Sequence, residues 1–225
     1  MNINLQSAKL ISISLPTVYR YMDSKYVELF FKEGILRISS FDRYRKYPDE
    51  IRGDTDEGGG TYETKSKEGT QNLIMTNTGS NSYMLCGSLL YDNDIKKTFD
   101  VNSGIKIKDT VSFCNAILNA IPGTNEAFLG FCAYQDFKVV SKSITPFSDK
   151  DDMSNEGTIT IGGPNFNKRV NETIGNGIDL MFLKDRKYQY QSEFRFVWKI
   201  DGRYFNQQEF IDIECREAIQ FCERL

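Results

Sequence analysis

Residues Tyr188-Gln189-Tyr190-Gln191-Ser192-Glu193-Phe194-Arg195-Phe196-Val197-Trp198 are aromatic, β-branched and alternating. Successive side chains of a strand point to opposite faces, so this pattern commits the chain to a half-buried strand. Tyr190, Ser192, Phe194 and Phe196 fall on one face, which is core. Gln189, Gln191, Glu193, Arg195 and Val197 fall on the other. There an amide, a carboxylate and a guanidinium recur every ~7 Å. Such a row reads either as a solvated sheet face with a cross-strand ion pair or as part of a site.

A strand of this kind needs neighbours, and the chain supplies them. Leu10–Ile13 and Val18–Met22 have strand character. A helix follows over Lys25–Glu33, capped by Asp23 or Ser24, with Glu28 and Lys32 in the favourable i, i+4 order and Gly34 ending it. Ile35–Phe41, Asn72–Asn77, Tyr83–Tyr91, Ile105–Ile107, Phe128–Tyr134 and Phe137–Val140 read as strands. Thr78–Asn81 is a turn. Asp109 caps a helix through Ala120, with Val111, Cys114, Ile117 and Leu118 inward, and Pro122-Gly123 stops it. Asp201-Gly202 marks a hairpin turn. Phe210–Cys215 reads as a strand and Arg216–Leu225 as a terminal helix. Residues 42–70 are charged and glycine-rich and predict a flexible loop without a core of its own. Residues 145–157 form a polar excursion, and 158–178 contain one short strand among Gly and Asn. The fold class is α+β, mainly antiparallel, in a single domain of 225 residues.

Composition narrows the chemistry. There is no histidine, which excludes a Ser-His or Cys-His nucleophile and most zinc catalysis. Carboxylates, Arg, Lys, Tyr, Ser or Cys must carry any reaction. The five cysteines are Cys86, Cys114, Cys132, Cys215 and Cys222, an odd count without a Cys-x-x-Cys pair. Buried free thiols in a reducing cytosol fit best. A net charge of −3 gives no broad electrostatic surface for nucleic acid, though it leaves room for a local basic groove. Neither a leader peptide nor a membrane span is expected, which points to the cytoplasm. Gly58-Gly59-Gly60 and Gly162-Gly163 lack the Gly-Lys-Ser/Thr of a phosphate loop, and Asp54 with Glu57 lacks calcium-loop spacing.

Three elements can converge: Arg20 in the strand Val18–Met22, Ser39-Ser40 ending the next, and Gln191 with Glu193 in the alternating stretch. Arg-then-Ser-Ser-aromatic-then-Gln-x-Glu resembles the Arg-Ser-Glu class of ADP-ribosyltransferases. The aromatic-Arg-aromatic opening, Glu33-Gly34-Ile35-Leu36-Arg37-Ile38-Ser39-Ser40, Met84-Leu85-Cys86-Gly87-Ser88 and the run Lys184–Phe196 are similar to a large bacterial family of domains found near toxin and phage-defence genes. That likeness covers residues 16–47 and 83–225. The serine motif departs from the class in being Ser-Ser-Phe rather than Ser-Thr-Ser, and residues 48–82 are unlike those of most relatives.

The resemblance implies an ADP-ribosyltransferase-like split sheet packed with two or three helices. It implies NAD as co-substrate, with no metal. Glu193 would stabilise an oxocarbenium-like transition state, and Gln191 would position the acceptor. Arg20 would hold a pyrophosphate or ribose. Ser39 and Ser40 would orient the nicotinamide-ribose, and Phe41 or Tyr44 would stack on the nicotinamide. Arg43, Arg45 or Arg52 would clamp phosphates. The expected activity is mono-ADP-ribosylation of a nucleic-acid base, in DNA or RNA, or of a protein side chain. The setting would be an intracellular toxin or anti-phage effector, with an antitoxin or chaperone as possible partner and no membrane. Three alternatives remain open: a nucleotide- or partner-binding module without turnover, an NAD glycohydrolase, and a metal-dependent nuclease using Asp54, Glu57 and Glu193. For Arg20 the bland alternative is an ion pair with an acid such as Glu193 across the sheet.

Overall fold

A computed structural model describes residues 15–49, 51, 53–65, 71–142 and 164–225. The expected strand at Leu10–Ile13, Arg52 and the excursion at 145–157 lie outside them. The chain begins with β1 (Val18–Met22), α1 (Ser24–Glu33), β2 (Ile35–Ser40), α2 (Phe41–Lys46), β3 (Gly59–Lys65), β4 (Gln71–Asn77) and β5 (Ser82–Ser88). It continues with α3 (Asn93–Thr98), β6 (Ser103–Ile107), α4 (Thr110–Ala120), β7 (Thr124–Phe131), β8 (Ala133–Gln135) and β9 (Val139–Lys142). Then come α5 (Pro164–Ile174), α6 (Ile178–Met181), β10 (Leu183–Asp185), a 3₁₀ segment (Arg186–Gln191) and β11 (Glu193–Ile200). β12 (Phe210–Glu214), a second 3₁₀ segment (Arg216–Phe221) and β13 (Cys222–Arg224) complete it. The class is α+β with mostly antiparallel sheets; among the described strands, only β8 with β10 and β3 with β9 run parallel.

The main sheet is organised around β5. β11 pairs with it along its whole length, from Ser82 opposite Lys199 to Ser88 opposite Glu193. A strand has two edges, so every other partner of β5 must share the remaining one. β2 takes that edge at Tyr83 and Met84, and β1 takes it at Ser88. Between them Leu85, Cys86 and Gly87 have no strand partner on that side among the described residues. The sheet therefore forks: β2 leads to β12, and β1 leads to β6 and β13. α1 bridges the two prongs, and Gly34, at φ 76°, turns the chain from it into β2.

The period-two pattern of β11 has physical consequences on both faces. Phe194, Phe196, Trp198 and Ile200 enter the main core with Phe113, Cys114 and Ile117 of α4, and the Trp198 indole donates to the Cys114 carbonyl at 3.0 Å. Each such large apolar side chain contributes roughly 1.5–3 kcal/mol by leaving water. The opposite face is also covered. Val197 packs with Phe41, Met84 and Met181 in a second core, and α2, α6 and the segment before β3 close over it. Every β11 residue except Lys199 is buried. The solvated face that alternation allows is thus absent.

The sequence differs from the structure elsewhere for identifiable reasons. Residues 42–70, expected as a loop without a core, contain α2 and β3. Asp54, Glu57 and Tyr62 are buried there. Its buried acids are paired, Asp54 with Lys138 at 2.9 Å and Glu57 with Arg195 at 2.6 Å, and its glycines allow close packing. Gln191 is not on the strand at all. The path Arg186–Gln191 is 3₁₀, and Ser192, at φ 42°, makes the left-handed step into β11. The Asp201 turn forms, but both edges of β11 are already taken by β5 and β7, so the chain goes on to pair β12 with β2 instead. Arg216–Leu225 is not one helix, because Cys222–Arg224 pairs with β6. Val111 is exposed rather than inward, and Pro164–Ile174 is helical.

Candidate functional site

The gap between the prongs is a cleft of about 360 Å³, within the range of small-molecule sites. Tyr19, Arg20 and Tyr21 line it from β1, and Arg37 and Ser39 from β2. Arg43, Tyr44 and Tyr47 come from α2 and the residue after it. Cys86 and Gly87 form the unpaired edge of β5, with Lys184, Gln191, Glu193 and Glu57 beside them. Arg20 Nη1 donates to the Cys86 carbonyl at 2.7 Å, meeting the β5 edge where the ladder is missing. Its Nε is buried without a hydrogen-bond partner. The Tyr44 phenol lies beside Cys86, Arg20 and Glu193; burial pushes its pKa up, and Cys86 adds to the effect.

At the floor sits a cluster of ionised groups. Arg195 Nε donates to Glu193 Oε1 at 2.5 Å, and Lys184 Nζ donates to Glu193 Oε2. Arg195 Nη1 donates to the Met181 carbonyl at 2.5 Å and lies 2.6 Å from Glu57 Oε1. Two acids and two bases therefore compensate one another. Burial alone would raise the pKa of Glu193, but Arg195 and Lys184 outweigh it and hold the carboxyl well below the usual range. Burial would lower Lys184, and Glu193 with Glu57 more than offsets that. Both groups are charged at neutral pH. Burial raises the Cys86 thiol, and Glu193 reinforces the shift, so Cys86 is a poor nucleophile.

Of the residues expected in the site, Arg20, Ser39, Arg43, Tyr44, Gln191 and Glu193 share the cleft. Ser40, Phe41 and Arg45 do not line it. Ser40 faces away and caps α2, accepting from the Arg43 amide at 3.2 Å. Phe41 is wholly buried in the second core. A Cβ added to Gly79 would lie 2.5 Å from its ring, and one added to Gly58 would lie 2.9 Å from it. No face of that ring is free to stack on a ligand. Arg45 is consumed internally by Asp42 at 2.5 Å, the Glu57 carbonyl at 2.7 Å and the Thr78 carbonyl at 2.7 Å. Gln191 is also engaged: its amide donates to the Ile51 carbonyl and accepts from Lys184. Arg43 keeps more freedom, lying over Phe210 and Tyr47, with its nearest carboxylate, Glu209, at 4.0 Å.

Lys184, Arg195 and Glu57 belong to this site and were not assigned to it together from sequence. One signal was present. A guanidinium between Phe194 and Phe196 has no good burial without acidic partners. Asp54 and Glu57, weighed as metal ligands, are held by Lys138 and Arg195. Among the described residues no group of His, Cys, Asp and Glu is placed to hold a metal ion, and no helix is long and apolar enough to cross a membrane. No family model, curated protein or solved structure matches the chain.

Proposed function

We propose that the chain binds NAD in the forked cleft and transfers its ADP-ribose to an acceptor, as an ADP-ribosyltransferase-like toxin or defence effector. The acceptor would be a nucleic-acid base or a protein side chain. One observation carries the reading: Arg20, Ser39, Tyr44 and Glu193, from four separate elements, line a single cleft of nucleotide size. In this reaction the bond from ribose C1′ to the nicotinamide nitrogen breaks, and its electron pair leaves with nicotinamide. The acceptor's lone pair then bonds C1′, and the acceptor loses a proton. Positive charge grows on the ribose in between. Glu193 supplies a fixed negative charge at the cleft floor. Its oxygens each hold one cation, and a carboxylate retains further lone pairs for ribose hydroxyls. Arg20 offers donors to a diphosphate, and Tyr44 offers an aromatic wall.

A second reading is favoured by the same ion cluster. With both oxygens of Glu193 already engaged and its charge compensated, the cleft suits a nucleotide-binding module without turnover. Calorimetry with NAD, followed by labelled NAD with separate pools of DNA, RNA and protein, tells the readings apart. Transfer of label together with released nicotinamide supports the transferase, and nicotinamide without transfer means a glycohydrolase. Tight binding without nicotinamide supports the module. Absence of NAD binding by the folded protein, or unchanged binding in Arg20→Gln, sinks both.

A further inference from the structure

Lys184 is a buried ammonium at the end of the apolar run Leu180–Leu183. β10 holds it by pairing in parallel with β8, and the 3₁₀ path Arg186–Gln191 folds the chain back so that Glu193 meets it. Its Nζ donates to Gln191 Oε1 at 3.0 Å and to Glu193 Oε2, and stands 4.7 Å from the centre of the Tyr188 ring. Arg195 holds the other oxygen of the same carboxylate. One donor would leave the carboxylate free to swing. Two donors, one to each oxygen, leave it one direction.

We propose that Lys184 is a positioning residue for the cleft, fixing the direction and charge of the Glu193 carboxylate, so that turnover depends on it. This rests on reading the cleft as an NAD site. Lys184 also reaches the cleft wall, because the Gln191 amide it orients donates to the Ile51 carbonyl at 2.9 Å. The charged groups facing Glu193 are Lys184 of β10, Arg195 of its own strand and Glu57 of the segment before β3. The weaker acids are Cys86 of β5, Tyr44 of α2, and Cys132 and Tyr134 at the start of β8. Lys184 and Arg195 are the cations in direct contact. Without Lys184, Glu57 and Glu193 share Arg195 alone, and Glu193 takes up a proton at higher pH.

The test measures nicotinamide release from NAD between pH 4 and 9 for the wild type, Lys184→Met and Lys184→Arg, each checked for folding by thermal melting. In Lys184→Met, kcat is expected to fall on the order of 100-fold with a much smaller change in KM. An acid limb from Glu193 is expected to enter this pH window in Lys184→Met, whereas that of the wild type lies below it. Lys184→Arg, which keeps the charge, is expected to bring the limb back below the window. A folded Lys184→Met protein with wild-type kcat and pH profile overturns the proposal. If Lys184→Met does not fold, Lys184→Gln, which can still donate to Glu193, is expected to keep part of the rate but not the wild-type acid limb. Carbon-13 NMR of the Glu193 carboxyl, assigned with Glu193→Gln, gives a readout without substrate. Identical Glu193 titrations with and without the lysine overturn the proposal, whereas a wild type that binds NAD but releases no nicotinamide overturns the transferase reading alone.

Discussion

The side-chain amide of Gln191 donates to the main-chain carbonyl of Ile51 at 2.9 Å. Two segments 140 residues apart are tied by it, and both ends line the cleft. The phenol of Tyr188 repeats the tie one step along, donating to the Gly53 carbonyl at 3.0 Å. Gln191 therefore braces a wall and has little left to offer an acceptor. Gln191→Ala is expected to cost about 1–3 kcal/mol, since it strands a buried ammonium contact and a carbonyl. Urea unfolding measures the loss. Hydrogen exchange at Gly53 and Asp54, whose amides bond Asp49 and Tyr44, should accelerate. Unchanged exchange there would rule out the bracing role.

Phe41 separates folding from binding. Phe41→Ala is expected to destabilise the protein by about 3–5 kcal/mol through the cavity it leaves in the second core. Gly79→Ala should also be costly, because Gly79 has φ 82° and its new methyl would strike the same ring. Neither residue itself lines the cleft. The folded fraction of each should bind NAD with wild-type affinity, measured by calorimetry below the melting temperature. A selective loss of affinity in Phe41→Ala would restore the ring to the site.

Glu193 links stability to acid. Its folded pKa is depressed, because Arg195 and Lys184 outweigh the effect of burial. The stabilisation is then fully present above the unfolded value of about 4.3 and is lost as pH falls below it. Urea unfolding between pH 5 and 3 should show a steep decline in the wild type and a shallower one in Glu193→Gln. At pH 7 that variant should be weaker by about 3–5 kcal/mol, because two buried cations then face one acid. Equal slopes for the two proteins would remove Glu193 from the linkage. Activity lost in Glu193→Gln must accordingly be judged on protein shown to be folded.

Cys86 is half-buried in the cleft, whereas Cys114, Cys132, Cys215 and Cys222 are buried. Burial and the neighbouring Glu193 hold its thiol high. Alkylation by iodoacetamide at pH 8 should be more than tenfold slower than that of a free thiol. All five cysteines should react once the chain is unfolded in urea. Rapid modification of the native protein at Cys86 would contradict the described surroundings.

Local signals were the legible part of the fold. Strand Val18–Met22, the Gly34 stop and the Asp109 cap follow from side chains acting on their own backbone. That Arg20, Ser39 and Glu193 line one cleft is a meeting of distant segments, expected only on the strength of the resemblance and not from any local signal. Contacts between distant segments were not legible. Alternation in 188–198 cannot tell a solvated polar face from one covered by α2 and α6, because both spell the same period of two. The glycines at 58 and 79 read as loop residues, yet their missing side chains are what lets Phe41 lie between them. Lys184 opens the run Lys184–Phe196 but was given no place in the site, since its contact with Glu193 depends on a 3₁₀ path that brings position 184 back onto 193.

The cleft has an origin in the backbone that constrains how it can change. Its edges are set by where β2 stops pairing with β5 and where β1 begins. Side-chain substitutions can reshape such a recess but cannot erase it, because its outline is a missing stretch of ladder. Lining residues outside the buried ion cluster can therefore change for new ligands, while the opening itself persists for as long as the sheet divides.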